Sequence, residues 1–451
     1  MSRAKNSGRV NHPVLWVLAI VVLAGAAVAT YLALSPGPTA FAKGARVALE
    51  KYQGRNPSGV PDELKSAGLV ERGEYLTRAA DCMACHTSEG GVPWAGGRAF
   101  VLPFGTIYST NITPDTDTGI GSYTDTDFLD ALHKGIGRGE RRLYPAMPYA
   151  SYTYMSDADA LAIKAYLFSL KPVHAPAREN TLMFPLNQRG LMSLWSAFFN
   201  PDKRYEANTE RDAVWNRGAY LTEAMGHCGE CHTPRNLGFA LNNRQKFAGA
   251  VQAGWRAYNI TPDRSSGVGA WGDEDLVKYL SSGHAVGRGT ASGPMGQAVD
   301  DSLRYLKASD LSAIVSYLRT VPSISTADLP APRATSSAPS VEQVAMDPRG
   351  TTVYASACYG CHGGTGISPG IDAATLIGMR SVNDATAINI VQVVIHGGER
   401  QAASGPSNMP AFGSSYSDAE IASVANYVTA RFGRQPSHMT AAKVAKLRTQ
   451  E

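Results

Sequence analysis

Cys82-Met-Ala-Cys85-His86, Cys228-Gly-Glu-Cys231-His232 and Cys358-Tyr-Gly-Cys361-His362 repeat one five-residue pattern, and together they use all six cysteines of the chain. In such a pattern the two thiols form thioether bonds to a porphyrin and the adjacent histidine ligates its iron. Other uses of a Cys-x-x-Cys pair fit less well. A thiol–disulfide centre does not need a histidine after the second cysteine, yet one follows each time. Zinc sites combine two pairs at knuckle spacing, whereas these pairs stand well over 100 residues apart. Disulfides between motifs would leave three histidines without a role. The expected cofactors are three haem c groups, attached at Cys82, Cys85, Cys228, Cys231, Cys358 and Cys361. His86, His232 and His362 are the expected iron ligands on one face.

Length and composition narrow the rest. The 451 residues leave room for about three domains. A hydrophobic content of 44% suits ordinary globular cores. The net charge of +4 is small and no Lys/Arg-dense patch stands out, which argues against a nucleic-acid partner. Val14 to Leu34 forms 21 residues without a charge. As a helix it would span roughly 31 Å, enough to cross a bilayer core. Arg3, Lys5 and Arg9 precede it, which places the amino terminus in the cytoplasm and the rest outside. A cleaved signal peptide ending near Ala40-Phe41-Ala42 is the alternative, but the run is long for a signal core. The expectation is a single-pass anchor in the cytoplasmic (inner) membrane, with the haem domains on the periplasmic side.

Three segments follow one script. Each opens with an Arg-Gly pair near a tyrosine: Arg72-Gly73-Glu-Tyr75, Arg217-Gly218-Ala-Tyr220, and Arg349-Gly350 with Tyr354. Each closes with a helix, signalled by Ser156-Asp-Ala-Asp159, Ser309-Asp-Leu-Ser312 and Ser417-Asp-Ala-Glu420. The first and third read as capping boxes; the second has a serine where the carboxylate belongs. Each closing helix carries a tyrosine, Tyr166, Tyr317 or Tyr427. The first two copies also share Asn111-Ile-Thr-Pro114 with Asn259-Ile-Thr-Pro262, and Trp94-Ala-Gly96 with Phe247-Ala-Gly249. The two Asn-Ile-Thr stretches match glycosylation acceptors, but read better as turns near the haem. Residues 321 to 347, rich in Pro, Ala and Ser, predict an extended linker. Leu191, Leu194, Trp195, Phe198 and Phe199 line one helical face, either packed between domains or free to dock a partner or the bilayer. Thr440 to Gln450 reads as a solvated basic helix.

The sixth ligand sets redox character, and methionine gives a relatively high potential. Met147, Met295 and Met409 follow their motif histidines by 61, 63 and 47 residues, each beside a proline and each before the closing helix. The proposed axial pairs are His86/Met147, His232/Met295 and His362/Met409. His133, His284 and His396 recur at comparable places and compete for the role; they read as structural. An arginine follows each of them: Arg138, Arg288 and Arg400. A guanidinium suits a haem propionate, and equally a solvated surface. No residue is a candidate for substrate oxidation, because no flavin, molybdopterin, quinone-cofactor or nucleotide-loop fingerprint occurs.

The order of these motifs resembles the three-haem cytochrome c subunit of membrane-bound dehydrogenases. The most specific stretches run from Arg72 to His86, Tyr108 to Pro114, Tyr144 to Pro148 and Gly226 to Pro234. The resemblance implies an all-α chain of three tandem cytochrome c domains behind an N-terminal transmembrane helix. The implied divisions are 1–45 (cytoplasmic terminus and anchor), 65–172 (first domain), 173–208 (inter-domain or docking segment), 209–322 (second domain), 323–344 (linker), 345–434 (third domain) and 435–451 (tail). It implies an electron-transfer subunit of the respiratory chain that relays electrons from a catalytic dehydrogenase subunit to ubiquinone. The molybdopterin aldehyde dehydrogenase version, which adds an iron–sulfur subunit, is favoured by the apolar run and the short C-terminal tail. The cytochrome subunit of a PQQ alcohol dehydrogenase or of an FAD polyol or gluconate dehydrogenase is the alternative, as is a free-standing carrier.

Overall fold

The computed structural model of the chain describes residues 34–333, 347–402 and 405–450, with positions 15–17, 19, 20, 23, 25, 30 and 31; side chains within 400–407 lie outside the description. Each copy of the script becomes four helical pieces. Opening helices are Leu69–Ala79, Ala213–Tyr220 and Pro348–Val353. Short motif helices follow at Cys82–His86, Gly229–His232 and Tyr359–His362. Middle helices are Asp125–Lys134, Asp273–Ser282 and Ile388–His396, and closing helices are Asp157–Ser169, Ala308–Leu318 and Asp418–Phe432. Thr124 and Asp127 start the first middle helix with a reciprocal capping box, and Gly135 ends it in the left-handed region at φ 63°.

The Arg-Gly signature marks where the opening helix crosses the closing one. A Cβ on Gly73 would lie 2.0 Å from the Ala162 carbonyl oxygen and 2.9 Å from Tyr166 Cβ. On Gly218 it would lie 1.9 Å from the Ala313 oxygen and 2.9 Å from Tyr317 Cβ. On Gly350 it would lie 2.4 Å from the Ser423 oxygen and 3.2 Å from Tyr427 Cβ. Only glycine lets the two backbones approach this closely, and the recurring closing-helix tyrosine packs beside the crossing.

The first two domains exchange their signature tyrosines. The Tyr75 hydroxyl donates to Asp310 Oδ2 at 2.7 Å, and the Tyr220 hydroxyl donates to Asp159 Oδ2 at 2.6 Å. Each hydroxyl also accepts a backbone N–H from the start of the opposing closing helix, Lys307 at 3.1 Å and Ser156 at 3.0 Å. The two domains thereby share one apolar core, running from Leu76 and Ile163 to Leu221 and Ile314. The third domain has its own core around Val391, Ile421 and Phe432.

This exchange corrects two capping expectations. Ser156 does accept the Asp159 N–H at 3.2 Å, but Asp159 spends its carboxylate on Tyr220 and on the Gly59 N–H, so the reciprocal bond of a box is not formed there. The second closing helix begins at Ala308 rather than at Ser309. Its third residue is Asp310, the counterpart of Asp159, so the carboxylate is present two positions from where the serine pattern put it. The third box forms as expected between Ser417 and Glu420.

The fold is helix-rich rather than wholly helical. Among the described residues six two-stranded antiparallel ladders join the helices, including Ala99–Leu102 with Gly105–Tyr108 and Gly398–Ala402 with Gly405–Met409. Two other expectations change. The first part of the linker is packed, not extended in solvent: Val321 and Leu329 are buried, and Asn259 Nδ2 holds the Ile324 carbonyl at 2.6 Å. The remaining linker residues, 334–346, lie outside the described residues. The tail is docked as well. Helix Ala441–Leu447 buries Val444 and Leu447, while Arg448 donates to Asp418 at 2.6 Å and to the Gly413 and Tyr416 carbonyls. Among the described residues no helix is long and apolar enough to cross a membrane, and the run from Val14 to Leu34 falls only partly within them.

Candidate haem sites

Each motif histidine is held the same way. Nδ1 faces a backbone carbonyl: His86 to Thr110 at 2.7 Å, His232 to Tyr258 at 2.6 Å and His362 to Ala374 at 2.6 Å. A carbonyl can only accept, so Nδ1 carries the proton and Nε2 is left with its lone pair, the arrangement a metal-ligating imidazole needs. Burial lowers the pKa of all three rings, which keeps them neutral.

The shared motifs of the first two copies explain how those carbonyls are fixed. Thr110 and Tyr258 directly precede Asn111 and Asn259. Asn111 Oδ1 accepts from the N–H and hydroxyl of Thr113 at 2.9 and 2.8 Å, and its amide donates to the Val173 carbonyl at 2.7 Å. Asn259 repeats this with Thr261 at 2.8 and 2.7 Å and with Ile324 at 2.6 Å. Both asparagines are 2% exposed, so neither can accept a glycan, as the turn reading expected. Gly96 and Gly249 donate to the His86 and His232 carbonyls, each at 2.8 Å. Trp94 and Phe247, at φ 68° and 59°, are tied to the Thr87 and Thr233 hydroxyls at 3.1 Å. Asn259→Ala is expected to destabilise by about 1–3 kcal/mol by orphaning the Ile324 carbonyl and the Thr261 N–H. Denaturant unfolding checks this; an unchanged midpoint would contradict it.

The thiols sit apart from cations. Burial pushes Cys82 and Cys228 up to about 12 and Cys358 up to about 11. Reactive redox thiols show the opposite, a depressed value beside a cation or helix N-terminus. Asp81, next to Cys82 and in the left-handed region at φ 52°, is pushed well up by burial and then by Asp301. Two thiols and one neutral, oriented imidazole on a single helical turn form the donor set that haem c requires.

The methionines fall into two kinds. Met147 and Met409 each precede a proline, which disfavours helical backbone, and both lie half-buried against their domain cores. Met295 precedes glycine and instead enters the first turn of helix Gly293–Asp301. His133 is buried at the end of its middle helix, Nδ1 3.6 Å from Asp157 Oδ1, and burial lowers its pKa to about 4. His284 Nδ1 meets the Thr290 hydroxyl at 2.9 Å, and His396 ends the third middle helix. Arg138 is exposed and donates to the Ser122 hydroxyl, whereas Arg288 pairs with Asp275 at 3.1 Å; the Arg400 side chain lies outside the described residues.

Contacts that the sequence did not suggest join the sites. Arg98 Nη1 donates to the Ala84 carbonyl inside the first motif at 2.6 Å and to the Gln297 side chain, two residues after Met295. The Ser151 hydroxyl donates to Glu230, inside the second motif, at 2.9 Å. On the other side of the second domain, the Tyr258 hydroxyl reaches Asp384 at 3.3 Å and the Thr290 hydroxyl donates to the Ala373 carbonyl at 3.1 Å.

Comparison with known proteins agrees with this geometry. A cytochrome c family profile matches residues 70–171, and the profile described as cytochrome c oxidase, cbb3-type, subunit III matches residues 345–428. The fructose dehydrogenase cytochrome subunit of Gluconobacter japonicus is 37% identical over 422 residues, covering 88% of this chain and 86% of its own. The gluconate 2-dehydrogenase cytochrome c subunit of Pantoea cypripedii is 36% identical over 413 residues, covering 87% and 92%. The chain belongs to the family of cytochrome c subunits of dehydrogenases. One of the two nicotinate dehydrogenase chains of Pseudomonas putida is 40% identical over 371 residues, 81% of this cytochrome, which spans only 30% of that longer protein. The cytochrome is therefore an electron-transfer protein of haem c type. Its third domain matches a different profile from its first, in keeping with its lack of the Asn-Ile-Thr and Trp-Ala-Gly elements.

Proposed function

We propose that the chain binds three haem c groups, one per motif, and carries electrons from a catalytic dehydrogenase subunit to ubiquinone at the periplasmic face of the cytoplasmic membrane. The observation that supports three is the threefold recurrence of one arrangement, a Cys-x-x-Cys-His turn whose histidine Nδ1 donates to a carbonyl. When bound, haem c supplies reversible one-electron chemistry at its iron. The chain supplies thiols for attachment, neutral imidazoles for ligation and packed domains that exclude water. Met147, Met295 and Met409 complete the axial pairs, and Arg138, which donates to a hydroxyl rather than a carboxylate, is the best placed of the three arginines for a propionate. The second site adjoins both others through Arg98–Gln297 and Tyr258–Asp384, which favours relay through the middle domain. The apolar run from Val14 to Leu34 is the proposed anchor.

The partner is a dehydrogenase subunit, as the names of the relatives state for theirs. The molybdopterin aldehyde class, with its iron–sulfur subunit, stands as the proposal from resemblance beside the fructose, gluconate and alcohol classes. Stoichiometric co-purification in mild detergent with a large catalytic subunit is the expected result; a lone cytochrome would favour a free-standing carrier. Substituting Met147, Met295 or Met409 by alanine is expected to lower the midpoint potential of one haem and leave two unchanged. Spectroelectrochemical titration of each variant reads this, and three unchanged potentials would remove that methionine from the ligand set.

A further inference from the structure

Residues 183–199 and the loop 234–242 build an apolar face on the outside of the first two domains. Phe184 is 77% exposed, Leu194 61%, Leu237 81% and Phe239 60%, with Met183 and Phe198 between them. This face is rigid. Trp195 Nε1 donates to the Gly238 carbonyl at 2.7 Å, Phe239 stacks edge-on against Phe104 at 5.5 Å, and a Cβ on Gly238 would meet the Phe199 ring at 2.4 Å. Helix Leu191–Phe199 thus satisfies both expectations for it: its Met192 and Trp195 side packs between domains, and its Leu194 and Phe198 side is open.

We propose that this face is a lipid-binding surface that seats the protein on an anionic bilayer. Its nine-residue helix carries no charge and is too short to span, which suits an element lying in the interface plane. Location gives the direction. The loop that presents Leu237 and Phe239 is closed by Asn242 N–H on the Pro234 carbonyl, and just beyond it Arg244 holds the end of the N-terminal apolar run. Arg244 donates to the Leu34 carbonyl at 3.1 Å and lies 4.2 Å over the Tyr31 ring, while Asn243 donates to the Pro36 carbonyl at 2.9 Å. Charge gives the lipid class. Residues 180–201 and 231–249 contain Arg189, Arg235, Arg244 and Lys246 and no Asp or Glu. Arg235 and Lys246 are paired to Glu230 and Glu223, but Arg189 and Arg244 donate to carbonyl oxygens and keep their charge for headgroup phosphates.

The surface rests on the proposed anchor only for its orientation, and one experiment separates them. The full-length holoprotein is placed in nanodiscs of phosphatidylglycerol bearing a diazirine in the acyl chain, irradiated, and mapped by peptide mass spectrometry. Adducts on peptides 183–199 and 237–239 are expected. The variant Phe184→Ser/Leu194→Ser/Phe198→Ser, with an unchanged haem spectrum, should lose them while keeping any adducts on 14–34. Adducts on the patch without adducts on 14–34 would support the surface and refute the anchor. Adducts on 14–34 alone would overturn the surface, as would hydrogen-exchange protection of the patch by a co-purified subunit in lipid-free detergent.

Discussion

Asp310→Ala is expected to destabilise the joined first and second domains by about 3–5 kcal/mol, the cost of leaving a buried cation without its partner. Asp310 is 2% exposed and accepts from Arg217 Nε at 2.8 Å, Arg217 Nη2 at 2.6 Å and the Tyr75 hydroxyl at 2.7 Å. Removing it orphans a forked guanidinium inside one domain and a phenol from the other. Asp159, on the matching side, serves only Tyr220 and the Gly59 N–H, so Asp159→Ala should cost less, about 1–3 kcal/mol. Arg217→Met combined with Asp310→Leu should recover much of the loss, because no charge remains to be buried. Denaturant unfolding followed by far-ultraviolet circular dichroism measures all three. Equal losses at Asp310 and Asp159 would show that the ion pair contributes nothing beyond the tyrosine exchange.

The second large effect is steric. Gly218→Ala would gain up to about 1 kcal/mol of helix propensity if its site were open. Here the new methyl would stand 1.9 Å from the Ala313 oxygen. That atom is backbone in the middle of a helix and cannot swing aside, so the two helices must part. Overpacking of this kind costs about 1–3 kcal/mol, sometimes more, and net destabilisation is expected. Gly190→Ala is the control: it adds a Cβ at αR backbone with nothing within 4 Å and should be neutral or slightly stabilising. A stabilised Gly218→Ala would refute the account of the Arg-Gly signature.

Much of the site was legible because it is local. The two thiols and the histidine occupy one helical turn, so their spacing alone specifies the chemistry, and the crossing glycines recur at fixed offsets from them. What was not legible depends on distant chain. The Asn-Ile-Thr pairs could be recognised as turns, but not as the clamps that aim Thr110 and Tyr258 at the histidines, since their acceptors Val173 and Ile324 arrive more than 60 residues later. Those same contacts turn the start of the linker from spacer into structure. The second closing helix was misplaced by two residues because Ser309-Asp310 imitates a cap, while the true alignment is set by Tyr75 from the other domain. The tail looked solvated because its basic residues mask Val444 and Leu447, and only the fold shows Arg448 reaching three partners on the third domain. Met295 departs from its loop counterparts for a readable reason, the missing proline after it.

Intact-mass spectrometry of the denatured, full-length protein tests most directly whether all three Cys-x-x-Cys-His turns carry a porphyrin, since thioether links survive unfolding. The mass of the polypeptide plus three haem groups, with no titratable thiol remaining, is the expected result. A mass short by one or more haems, with the matching pair of cysteines open to alkylation, would contradict it.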